Sequence, residues 1–247
     1  MSLWLIDAPM TIRPITELAE LHKCVELQRE AWGLADIEVI PVRMLVTQNR
    51  VGGLVLGAFE NDQFVGFLNA MPGVRDGMPY WYSQMLAVRT PYRNRGIGSD
   101  LKLAQRDHAR QRGIHLIEWT FDPLESKNAY LNIAKLGVIV RRYYVNLYGA
   151  TASELQKGLE SDRLIAEWWI DKPHPLIEGE IRRVRIPADI QQLKKHSLKS
   201  AQDVQTRVRD EFLKNFHDDY FVAGFERSNE SSEYLFISGA SRVHQAH

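Results

Sequence analysis

The chain has 247 residues, 45% hydrophobic and 25% charged, with 31 basic side chains against 31 acidic ones. That is globular composition, and the even charge balance excludes a general nucleic-acid or membrane-surface binder, which needs a basic excess. The one cysteine, Cys24, cannot close an internal disulfide, which suits a reducing cytoplasm; Asp7 inside the first apolar stretch argues against a secretory signal, and no apolar run approaches membrane-spanning length.

Met10–Ile15 reads as a strand, and Thr16 can cap the helix that follows, with Glu17 and Glu20 in its first turn. Leu18, Leu21, Val25 and Trp32 recur at helical spacing, and Cys24 on this helix reads as a packed small hydrophobe. Pro41 opens a second helix, Val42–Gln48. Gly52–Glu60 and Gln63–Ala70 form a hairpin turned by Asn61-Asp62. Pro72–Pro79 reads as a loop, and Pro79–Val88 as the next strand. A helix from Ile97 carries Ile97, Leu101, Ala104 and His108 on one face and stops at Gly113. His115–Phe121 is a strand, Asp122-Pro123 breaks it, Ser126–Lys135 is a helix ended by Gly137, and Val138–Leu147 is a strand.

Between the strand at Val88 and the helix at Ile97 lies Arg89-Thr90-Pro91-Tyr92-Arg93-Asn94-Arg95-Gly96. A strand, a glycine turn and a helix start form a phosphate site, because the first-turn amides lack partners and the helix dipole is positive there. Arg93 and Arg95 add charge, and Gly96 and Gly98 let a diphosphate approach the backbone. There is no Gly-Lys-Ser/Thr, and only two glycines of G-x-G-x-x-G are present, so neither a P-loop nor a dinucleotide fingerprint fits. The pattern Arg/Gln-x-x-Gly-x-Gly/Ala after such a strand resembles motif A of the GNAT acyltransferase superfamily, with Arg93, Gly96 and Gly98 at its defining positions.

The resemblance implies a GNAT fold over residues 1–150, an α/β (α+β) arrangement with a mixed, mostly antiparallel sheet flanked by helices. The element order over residues 10 to 149, β-α-α-β-β-β-α-β-α-β, agrees with it. It also implies an acyl-CoA co-substrate, acetyl-CoA by default, and no metal. Arg93, Asn94, Arg95, Gly96, Ile97, Gly98 and Ser99 would take the pyrophosphate. The backbone of Leu86, Ala87 and Val88 would pair with the pantetheine arm and polarise the thioester carbonyl. The later helix matches the superfamily in part. Lys135-Leu136-Gly137 fits its end, but Ile133 stands where a tyrosine is usual and Ser126 where an asparagine is, with Asn128, a further candidate for the cofactor, displaced by two.

The implied chemistry is direct attack of a neutral amine on the thioester, which needs alignment, oxyanion donors, a base and an acid. Gln84, just before the carbonyl-binding strand end, is not a base. Glu118 lies in the strand beside the expected thioester gap and is the candidate base, although a lone strand glutamate is commonly solvated or paired. Tyr130, one helical turn from Ile133, is the replacement acid, with Tyr143, Tyr144, Tyr148 or water as alternatives. Arg141-Arg142 and Arg182-Arg183-Arg185 fit either a carboxylate on the acceptor or exposed strand edges, the second being the favoured reading.

Residues 151–247 read as an extension. Thr151–Gln156 and Lys172–Pro175 look like connections; Arg163–Ile170 and Ile181–Ile186 are strands; Ile190–Lys195 is a short helix. Ser200-x-x-Asp203 resembles a capping box before a stripe of Val204, Val208, Phe212 and Phe216, and Tyr220–Glu226 with Glu233–Gly239 form a hairpin. This β-α-α-β-β order repeats that of residues 10–70, and a degenerate half-copy of the fold is one reading; a different strand order would end it. The acceptor implied is a small amine or amino acid. A protein amine, or a non-catalytic acyl-CoA-binding regulator, is the alternative. The hairpin edges and C-terminal strands could pair across a homodimer.

Overall fold

The computed structural model describes residues 10–149 and 158–239, so the connection read over Thr151–Gln156 lies outside the described residues. The chain divides into two compact units, Met1–Ile117 and Glu118–His247.

The first unit holds β1 (Met10–Pro14), α1 (Leu18–Trp32), α2 (Val42–Arg50), β2 (Leu54–Glu60), β3 (Gln63–Arg75), β4 (Met78–Val88) and α3 (Ile97–Gln111). Its strands lie in the order β1-β2-β3-β4, each antiparallel to the next. Helices α1 and α2 bury Leu21, Cys24, Leu27 and Leu45 against Val55, Phe59, Phe64, Phe67 and Ala87. Cys24 is thus a packed hydrophobe, and burial pushes its thiol up to about 12. Thr16 is not the cap of α1. Glu17 holds that position without a side-chain cap bond, and Glu20 pairs with Arg13 at 2.6 Å.

The loop expected over Pro72–Pro79 is strand instead. β3 runs to Arg75, and Asp76-Gly77, with φ of 51° and 76°, turns directly into β4. Two consecutive positive φ values make a hairpin turn whose twist matches the flanking strands. Gly73 sits opposite Tyr80, and a Cβ there would lie 2.5 Å from the ring. The glycine that read as a loop signal makes room for that ring across the strand pair.

The second unit takes in β5 (Leu116–Phe121), which begins on the last two residues of the first, and α4 (Ser126–Ala129). Then come a π-helical segment (Tyr130–Lys135), β6 (Ile139–Tyr144), β7 (Arg163–Trp169), β8 (Ile181–Pro187), α5 (Ile190–His196), α6 (Leu198–His217), β9 (Tyr220–Arg227) and β10 (Ser231–Ser238). The strand order is β5-β7-β6-β9-β10-β8, so β7, from beyond residue 150, enters between β5 and β6. β6 is shorter than the expected Val138–Leu147 strand and gives way to turns after Tyr144.

Helix α6 presents Phe212 to Tyr143, Tyr234 and Phe236, with ring centroids 5.6, 4.9 and 5.0 Å away. Its cap is Ser197, which accepts from Ser200 N at 3.1 Å, while Asp203 pairs with Lys199; the expected box at Ser200 was three residues late. The C-terminal elements share the order of residues 10–70 but not the pairing. β1 lies against β2, the first strand of its hairpin, whereas β8 lies against β10, the second. A half-copy needs the same pairing.

Candidate active site

The turn after β4 is built as a phosphate cradle. A single 3₁₀ turn, Thr90–Tyr92, lifts the chain off the strand, and Arg93 follows in extended conformation. Asn94 and Gly96 both take positive φ, 62° and 86°, and Gly96 caps α3 in the left-handed region. The first intrahelical bond runs from Asp100 N to Gly96 O, so the amides of Ile97, Gly98 and Ser99 precede the helical ladder. Ile97 is buried and anchors the turn, while Arg93 through Gly96 are exposed. Gly98 faces the strand: a Cβ on it would stand 3.4 Å from Leu86 Cδ2. Two of the three arginines are engaged, Arg89 with Glu30 and Arg95 with Glu60. Among the described residues Arg93 is tethered only through Nε, which donates to Val88 O at 3.0 Å.

Leu86, Ala87 and Val88 pair with Leu68, Phe67 and Gly66 of β3. Just before them the register jumps from Asn69↔Met85 to Ala70↔Ser83, leaving Gln84 as the extra residue of a β-bulge. The bulge turns Gln84 toward Gln48 on α2 and Asn69 on β3, whereas Ser83 points to α3. Gln84 Oε1 accepts from Gln48 Nε2 at 2.9 Å and from Asn69 Nδ2 at 3.1 Å; Asn69 Nδ2 also donates to Gln48 Oε1 at 2.9 Å. Nothing in the sequence flagged this network, because residues 48, 69 and 84 share no local spacing.

The buried face of α3 keeps the expected Ile97 and Leu101 but leaves Ala104 and His108 only half-buried. Lys102 and Gln105 are inside with Ile97 and Leu101. Lys102 Nζ donates to Ser83 Oγ at 2.9 Å, and desolvation holds the lysine well below its ordinary range.

In the second unit Glu118 is buried on β5 and ion-paired to Arg142 of β6. Arg141 pairs with Glu167 of β7, whose carboxylate also accepts from Trp169 Nε1 at 3.3 Å. Two adjacent arginines serve one side because β6 carries a bulge: its register with β7 skips from Val140↔Ala166 to Tyr143↔Leu164. These arginines are therefore not on an exposed edge, since β6 lies between β7 and β9. Arg182, Arg183 and Arg185 do lie on the last strand of the order, β8, and pair with Asp218, Glu226 and Glu233.

Asn128 is exposed on α4 and Tyr130 is half-buried, with Lys135 Nζ 5.5 Å from its ring centre. The π winding separates Tyr130 from Ile133: residues five apart, not three or four, now stack, and Ile133 is 2% exposed in the core. Ser126 is buried and bonded to Ser232 Oγ at 2.8 Å, and Tyr148 shares a 2.9 Å hydrogen bond with Thr120. Among the described residues no group of His, Cys, Asp and Glu could hold a metal, and no helix is long and apolar enough to cross a membrane.

Residues 17–135 match the model of the acetyltransferase (GNAT) family. The likeness to that family spans 119 of the 247 residues. Solved structures share the fold. The ribosomal-protein-S18-alanine N-acetyltransferase of Escherichia coli is 16% identical, covering 69% of this chain and 100% of its own, with a TM-score of 0.53. The Salmonella typhimurium protein yncA, solved with its cofactor acetyl-CoA, is 18% identical over 68% of this chain and 98% of its own, TM-score 0.54. The ribosomal-protein-alanine N-acetyltransferase of Brucella melitensis is 19% identical over 64% and 99%, TM-score 0.53. No curated protein matches the chain.

Proposed function

We propose that the protein transfers an acyl group, acetyl by default, from acyl-CoA to the primary amine of a small molecule or amino acid, by direct attack on the thioester. The observation that carries this is the turn itself: Gly96 at φ 86° opens α3 behind an exposed Arg93 that one bond ties to the end of β4. Backbone amides and one guanidinium there suit a diphosphate. The Leu86–Val88 strand leads into the turn and is the candidate support for the pantetheine arm, and yncA, which shares the fold, was solved with acetyl-CoA.

Catalysis in this reading comes mainly from alignment and from amide donors at the thioester oxygen. Glu118, with Arg142 fixing its carboxylate, is the candidate to accept the ammonium proton through water, and the Tyr130 phenol is the candidate to protonate the leaving thiolate. Asn128, exposed on α4, is a further candidate contact to the cofactor.

A second reading makes the acceptor a protein amine; the Escherichia coli and Brucella melitensis proteins are by name ribosomal-protein-alanine N-acetyltransferases. Thiol release from acetyl-CoA, measured across small amines, amino acids and peptides with free N-termini, separates the two. Thermal stabilisation by coenzyme A without thiol release on any amine would leave a binding protein, and no stabilisation would end the reading.

A further inference from the structure

We propose that Gln84 reads the carbonyl oxygen next to the acceptor's amine, so that the acceptor is an α-amino carbonyl compound. This rests on the transfer reading above. Asn69 is 0% exposed, and both hydrogens of its Nδ2 find acceptors, Gln48 Oε1 at 2.9 Å and Gln84 Oε1 at 3.1 Å. Its Oδ1 is buried and, among the described residues, has no partner. Turning the three amides round would reverse this and bury both Asn69 amide hydrogens unpaired. A buried orphan donor is the rarer and costlier state, because an unpaired carbonyl loses less than an unpaired N–H. The network is therefore set in one sense.

The consequence falls on Gln84. Its Oε1 is held inward by two donors, Gln48 Nε2 and Asn69 Nδ2. Its Nε2 points away from the network, and among the described residues it donates to nothing, on a side chain that is exposed. The bulge that projects Gln84 lies two residues before Leu86, on the face opposite the one Leu86 turns to Gly98. So the cofactor turn is served by one face of β4, and a fixed –NH₂ donor stands on the other. A locked donor selects an oxygen that only accepts. For an amine that must attack at this strand, that oxygen is the carboxylate of an amino acid or the first carbonyl of a peptide N-terminus.

The isosteric Gln84→Glu keeps the inward oxygen that accepts from Gln48 and Asn69 and replaces the outward –NH₂ by a repelling oxygen. With acetyl-CoA saturating, thiol release is measured for amino acids, for peptides with the same first residue, and for matched amines lacking the carbonyl. The expected result is a rise of tenfold or more in KM for carbonyl-bearing acceptors, with little change for the bare amines. The arm that loses more, amino acid or peptide, names the source. An equal effect on all three would overturn the proposal. Asn69→Asp offers Gln84 acceptors only, turns its amide round, and is expected to give the same selective loss with Gln84 in place. The transfer reading fails separately, if wild type releases no thiol with any amine. Then the side-chain amide resonance of Gln84, assigned by its disappearance in Gln84→Glu, is followed while coenzyme A-loaded protein is titrated with the same three sets. A shift with carbonyl compounds alone supports the proposal, and no shift, or a shift with all three, overturns it.

Discussion

Arg142 bridges two buried carboxylates on different strands: its guanidinium contacts Glu118 of β5 and stands 3.5 Å from Glu167 Oε1 of β7. The β6 bulge makes this reach available, and Arg141 holds Glu167 from the next position. Removing one partner of a buried pair strands the other charge. Arg142 is 33% exposed, so solvent screens part of that cost. Arg142→Met is expected to destabilise the protein by about 2–3 kcal/mol, below the roughly 3–5 of a fully buried pair. Denaturant unfolding measures it, and an unchanged midpoint would show the pair to be dispensable.

Lys102 gives a prediction of opposite sign. Its pKa is depressed by desolvation, so the stability it contributes is present above the ordinary lysine range and is lost as pH falls through the depressed value. At neutral pH the native state bears the cost of this burial. Lys102→Met keeps the length and removes the titration. It is expected to stabilise the protein by about 1–2 kcal/mol at pH 7, a gain that shrinks as pH rises toward ~10.5 and is gone above it. Melting temperatures of both proteins across pH 6–11, on the order of the buffer range these groups span, test it.

The overall order of elements and the glycine turn before α3 were legible in the sequence, because each rests on local chemistry. Glycine at positive φ, a helix start and clustered arginines all lie within a dozen residues. The Gln84 network was not. Gln84 looked like an ordinary strand residue, and only the slipped register of β3 and β4 shows it to be the bulge that meets Gln48 and Asn69. Pro72 and Gly73 read as loop, yet cross-strand pairing with Trp81 and Tyr80 overrode their local preference. Tyr130 and Ile133 were placed on one face by α-helical counting, which fails through a π segment. Arg141 and Arg142 alternate in an ideal strand, and a bulge puts both to use.

Glu125 is raised first by desolvation and then by Asp122 and Asp189, against the hydrogen bond from Gln191. A raised carboxylate contributes stability below the ordinary carboxylate range and loses it as pH rises through the shifted value. Glu125→Gln keeps an oxygen for Gln191 and removes the buried charge. The expected outcome is a gain of up to about 1 kcal/mol at pH 7 that disappears below pH ~4. A gain that persists in acid would point to packing instead.

Tyr130→Phe tests the proposed acid. The phenol is half-buried, and its ring keeps Lys135 5.5 Å away whether or not the hydroxyl is present, so packing is preserved. If Tyr130 protonates the thiolate, kcat falls by about 10²-fold with KM for acyl-CoA unchanged. Full turnover would reassign the acid to water or to Tyr148, whose hydroxyl sits 2.9 Å from Thr120 Oγ1.

Arg93 is the arginine of the turn on which the proposed cofactor site depends most. Arg89 and Arg95 are taken by Glu30 and Glu60, while Arg93 keeps its terminal nitrogens clear of the one bond its Nε makes to Val88 O. Replacing it by glutamine removes a charge from an exposed position and leaves the Gly96 cap and the amides of Ile97, Gly98 and Ser99 in place. A hydrogen bond to a charged phosphate is worth about 1.5–3 kcal/mol, so the Kd for coenzyme A is expected to rise roughly 10- to 100-fold, with the wild-type advantage shrinking as salt is added. The melting temperature should hold, because Arg93 buries nothing. Acetyl-pantetheine, which has the thioester and no diphosphate, provides the control. If Arg93 grips the pyrophosphate, Arg93→Gln and wild type use the truncated donor equally well, and if they do not, the arginine acts on the arm or on the strand that carries it.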